Sequence, residues 1–119
     1  ISSNKNAECY IKYVNEAWSP IGLTSPDVLG DSILGMEIAI NKAYDITVGA
    51  VPGKYDLQEI VVHELGHSIG VMHCHEKDET SCFSPTCQSN VMNPFSNTNS
   101  TARRKLQQYD ISSYQYIYR

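Results

Sequence analysis

The chain has 119 residues, a formal net charge of −4 and a sequence pI near 5.4, with 41% hydrophobic and 18% charged residues. That length suits one domain, 1–119, with a modest core, and the composition excludes the charge-rich, aromatic-poor signature of disorder. Arg103, Arg104 and Lys105 form the only compact basic run, which excludes a nucleic-acid partner, and no apolar stretch nears the roughly 20 residues needed to span a bilayer, so no membrane partner is expected.

Taken in chain order, Asn6 to Trp18 reads as a helix, because Ala7, Tyr10, Ile11, Val14, Ala17 and Trp18 recur at spacings of three and four, with Pro20 and Gly22 to end it. From Gly22 to Gly35 the composition turns to Gly, Pro, Ser, Thr and Asp, as in a loop or short irregular strand. Leu34 to Asn41 alternates, with Met36, Ile38 and Ile40 on one side, and predicts a strand. Lys42 to Tyr55, carrying Gly49, Pro52 and Gly53, predicts a surface loop.

Asp56 to Ile69 carries the strongest helix signal. Asp56 can cap it, Glu59 stands three residues later as in a capping box, and Leu57, Ile60, Val61, Leu65 and Ile69 make an apolar face. Gly70 can stop it in the left-handed conformation. Val71 to Thr101 is long, polar and rich in Cys, Ser, Asn and Pro, a length that implies a functional or cross-linked segment. Lys105 to Tyr118 closes with an amphipathic helix carrying Leu106, Tyr109, Ile111, Tyr114 and Ile117. The even set Cys9, Cys74, Cys82 and Cys87 in so small a domain predicts two disulfides and a secreted or extracytoplasmic address.

Within the strong helix stands His63-Glu64-Leu65-Gly66-His67. Residues four apart lie one turn above each other, so both imidazoles can reach one ion while Glu64 points partly aside, toward a metal-bound water. A continuing helix would carry His73 nearly three turns beyond His63, out of reach of the same ion, so a sharp turn at Gly70 is required. Three neutral imidazoles and an open fourth position suit a single catalytic Zn2+. Glu64 would then be the general base. A lone HExxH is a weak signal, since His and Glu on a helix often form only a solvated face; the added glycine and third histidine make chance a poor explanation.

His63-Glu64-Leu65-Gly66-His67-Ser68-Ile69-Gly70-Val71-Met72-His73 resembles the long zinc signature of the metzincins. Asn90-Val91-Met92-Asn93-Pro94-Phe95 is similar to their Met-turn, which makes Met92 the methionine beneath the metal. The HELGHSIG run and the C-terminal Leu106–Tyr118 segment resemble the matrixins, the matrix-metalloproteinase group, most closely. The resemblance implies an α+β fold, a small metzincin-like domain whose short mixed sheet accompanies an N-terminal helix, the zinc-site helix and a C-terminal helix. It also implies that Asp110 hydrogen-bonds to the Met-turn, and that Asn93, Pro94 and Phe95 wall the pocket for the side chain following the scissile bond. Pro94 stands where astacins and serralysins place a tyrosine ligand, so none is expected.

Two departures accompany the likeness. Only Ser19 to Ile33 fills the space where matrixins place several strands, so the upper rim of the cleft is abbreviated or built differently. The insert with Cys74, Cys82 and Cys87 faintly resembles adamalysins and archaemetzincins, but no CxxC follows, and His75 reads as a surface histidine. The reading is a monomeric zinc endopeptidase acting on proteins or peptides through a zinc-bound water activated by Glu64, preferring large apolar residues after the scissile bond. The alternative is a catalytically silent zinc-binding module, against which Glu64 speaks.

Overall fold

The computed structural model describes residues 9–49, 51–74, 89–95, 98 and 101–118. Its elements are strands β1 (Cys9–Val14), β2 (Gly22–Leu29), β3 (Ser32–Asn41), β4 (Ile46–Thr47) and β5 (Tyr55–Asp56), helix α1 (Leu57–Ser68), a 3-10 turn (Ala102–Arg104) and helix α2 (Gln108–Ile117). The fold is α+β, a short mixed sheet with two helices.

β3 is the centre of the sheet, in the order β1-β3-β2, parallel to β1 and antiparallel to β2. Its alternation places Ile38 and Ile40 against Ile60 of α1, with Ile21, Ile46, Tyr55, Leu57 and Val61 packed around them. A hairpin at Gly30, whose φ of +60° suits a residue without a Cβ, returns β2 along β3 as an edge strand. Asn41 is fully buried and staples the crossover from β1: its Oδ1 accepts from the Glu16 and Ala43 N–H groups, and its Nδ2 donates to the Glu16 carbonyl at 2.7 Å. Such pairing is what lets a buried amide persist.

The helix expected over Asn6 to Trp18 is corrected: of its described part, Cys9–Val14 is strand β1 and the rest is an irregular turn, in which Trp18 is fully exposed with a φ of 69°. Residues 9–13 are exposed, so a helix here would have no core face to bury. The strand instead pairs its backbone with β3, and Tyr10 and Lys12 reach Glu37 on that neighbour. The Gly22 to Gly35 segment resolves into a regular edge strand with a bulge at Asp27/Val28 and the start of β3. Among its described residues, the expected loop over Lys42 to Tyr55 holds β4 and the first residue of β5, which pair in parallel.

α1 follows its sequence signals. Asp56 caps it by accepting from the Glu59 N–H at 3.1 Å, while the Glu59 carboxylate accepts the Arg103 N–H instead of closing a capping box. At the far end Gly70, with φ +89°, donates to the His67 carbonyl and Val71 to the Gly66 carbonyl, the paired bonds of a Schellman termination. Of the expected apolar face, Ile60 is buried, whereas Leu65 and Ile69 are exposed. α2 starts later than expected, and Leu106, Ile111, Tyr114 and Ile117 are exposed, so the expected amphipathic face covers little. No helix among the described residues is long and apolar enough to cross a membrane. Cys9 is a free, exposed thiol, so the two expected disulfides become at most one within the chain; Cys82, Cys87 and His75 lie outside the described residues.

Candidate active site

The chain's reversal at Gly70 brings His73 back to the two helical histidines. The Nε2 atoms of His63, His67 and His73 form a triangle with every side 3.1 Å. Ligand nitrogens about 2.0–2.1 Å from a tetrahedral zinc would stand about 3.3 Å apart, so the triangle fits that ion. The tautomers point the same way. His63 Nδ1 lies 2.7 Å from the Val91 carbonyl and His67 Nδ1 2.9 Å from the Val71 carbonyl. A carbonyl only accepts, so both rings carry their proton on Nδ1 and turn a bare Nε2 lone pair inward. Burial pushes the His63 pKa down to about 4, which keeps that ring neutral. Among the described residues these three form the group of side chains able to hold a metal ion.

Beneath them lies the turn Asn90 to Asn93, closed by the Asn93 N–H donating to the Asn90 carbonyl. Met92 is 1% exposed and packs with Val71 and Val91, against Val62 and Tyr109. It reaches up to α1 at Gly66, where a Cβ would collide with its Sδ. The turn is held from behind by buried Asp110 at the start of α2. The Val91 and Met92 N–H groups donate to Asp110 Oδ2 and Oδ1, each at 3.1 Å, and the Gln107 N–H donates to Oδ2 at 2.8 Å. These bonds match the bracing the sequence resemblance implied. The Tyr109 hydroxyl donates to the His73 carbonyl at 3.1 Å, and the Cys74 N–H to the Met92 carbonyl at 2.9 Å, so α2 and the turn together fix the third histidine.

A cleft of about 680 Å³ runs across the histidines, bordered by Pro20 to Thr24 on one side and by Val91, Pro94 and Phe95 on the other. Its upper rim is thus the edge strand β2, built from the short segment that left the rim in question. Glu64 lines the cleft although only 4% exposed. Pro94 and Phe95 border the cleft; Asn93 is buried, and its Oδ1 accepts from the Phe95 N–H, shaping the turn. Sequence reasoning missed Glu59 and Arg103, which add polar lining, and Thr24 and Gly22, which touch Glu64. Each depends on a contact between segments dozens of residues apart, and no local pattern announces it.

The family model of the matrixins matches residues 11–119. The chain belongs to the matrixin family. As a matrixin it is of a zinc-dependent metallopeptidase family, and the three histidines of its cleft are placed to hold such an ion. No curated protein matches this matrixin, and no solved structure does.

Proposed function

We propose that this matrixin is an endopeptidase in which His63, His67 and His73 hold one catalytic zinc and Glu64 is the general base. The observation that carries the proposal is the triangle of inward-facing Nε2 atoms in a cleft that Glu64 also lines. When bound, zinc supplies Lewis acidity, making water acidic near neutral pH and polarising the peptide carbonyl. Glu64 removes the proton of the attacking water and delivers it to the leaving amine. Met92 and Asp110 keep the floor of the site in place, and Tyr109 holds the backbone of His73.

Pro94 and Phe95, with Ile60 and Val91, favour a large apolar side chain after the scissile bond; full burial of a Leu or Phe is worth roughly 1.5–3 kcal/mol. The protein acts as a secreted monomer on protein or peptide substrates. Cys74, fully buried beside Tyr109, pairs with Cys82 or Cys87 and ties the insert to the site. Hydrolysis of a denatured protein, stopped by a zinc chelator and restored by zinc, tests the activity. Equal cleavage before Leu, Asp and Gly in a peptide library would sink the preference, and zinc binding without hydrolysis would favour a silent zinc-binding module.

A further inference from the structure

The contact between the edge strand and Glu64 divides the two oxygens of one carboxylate. Thr24 Oγ1 on β2 lies 2.5 Å from Glu64 Oε2 and 3.0 Å from the Glu64 carbonyl. Glu64 Oε1 lies over Gly22, where an added Cβ would stand 2.6 Å away. No hydrogen bond from the described residues reaches Oε1. We infer that Thr24 is a positioning residue that ties down Oε2, so that Oε1, in the space Gly22 leaves open, is the oxygen that handles the proton.

The inference rests on Glu64 being the base. A carboxylate on a three-torsion side chain has many rotamers, and a base works only when its oxygen is within hydrogen-bond reach of the proton it abstracts. The hydroxyl of Thr24 has one hydrogen, given to Oε2, and its β-branched side chain is stiff at χ1, so the bond fixes the carboxylate to the sheet and not merely to the helix that bears it. Gly22 lies outside the left-handed region, so an alanine there meets no backbone strain, and its effect would come from the methyl alone.

The test uses the zinc-loaded chain and, separately, the zinc-free chain. Thr24→Val keeps the shape and removes the donor; kcat should fall roughly 10- to 100-fold, as for the loss of a hydrogen bond to a charged group, with KM within about twofold and zinc content unchanged. Thr24→Ser should restore kcat to within about threefold. Gly22→Ala should lower kcat while leaving zinc content intact. In the zinc-free protein, a double-mutant cycle of Thr24→Val with Glu64→Ala on the urea-unfolding constant should show coupling of about tenfold. Full kcat in Thr24→Val, or no coupling in the cycle, would overturn the positioning role even if the wild type hydrolyses peptides. A zinc-loaded wild type without hydrolysis would overturn the proposed function, and the catalytic use of Thr24 with it.

Discussion

The two sides of the cleft are built on different principles. The floor, from α1 through the Met92 turn to α2, is closed by side chains bonding to distant backbone: Asp110 to the Val91 and Met92 N–H groups, Tyr109 to His73, His63 to Val91. The roof, β2, is an edge strand whose residues 25–29 are exposed, and it touches the floor's key carboxylate through Thr24 and Gly22. The floor therefore holds its geometry by buried polar pairing that admits little substitution, whereas the roof is free to vary except at two positions.

The largest test of that contrast is Asp110→Ala. It would orphan the Val91, Met92 and Gln107 N–H groups, each at a cost of about 1–3 kcal/mol when buried, so urea denaturation should show a loss of about 3 kcal/mol or more. A loss under about 1 kcal/mol would mean that the turn stands without its brace.

A smaller effect is expected at Asp56, which caps α1 and pairs with Arg104 at 2.6 and 2.8 Å. Asp56→Ala should cost about 0.5–2 kcal/mol through the lost cap. The Arg104 guanidinium, opposed by burial, holds the Asp56 carboxyl below its ordinary value. A depressed folded-state pKa means that the unfolded chain binds the proton more tightly. The contribution is therefore present above pH about 3.9 and lost as pH falls through the folded value. Unfolding curves of wild type and Asp56→Ala should converge in acid; a gap independent of pH would show that the cost does not depend on the ionised carboxyl.

The smallest change is expected on the roof. Leu29, 70% exposed, should tolerate Ala within about 0.5 kcal/mol in the same denaturation assay. A cost above about 1 kcal/mol would show that the outer end of β2 is held by more than its pairing with β3.

The same contrast explains what the sequence could reveal. α1, its Asp56 cap, the stop at Gly70 and the convergence of three histidines follow from short-range rules of spacing and capping, and all were legible. β1 was not. Tyr10, Ile11 and Val14 satisfy a helical spacing as well as a strand, and the choice was made by a parallel partner 27 residues away, Cys9 facing Met36. β2 carries Gly22, Pro26 and Asp27, residues that read as loop, yet as an edge strand it can accept a proline. The apolar residues of α2 read as a buried face, but the helix is seated by polar bonds from Asp110, Tyr109 and Tyr118, leaving Tyr114 and Tyr116 exposed. Thr24 was invisible for the same reason as β1: its role exists only once a strand lies against α1.

The central claim, that three histidines hold the metal while Glu64 moves the proton, is tested most directly by measuring zinc content and peptide hydrolysis together in wild type and Glu64→Gln. The account predicts about one zinc per molecule in both proteins and a loss of hydrolysis of roughly 10²- to 10⁴-fold in the variant. Undiminished hydrolysis by zinc-loaded Glu64→Gln would contradict it.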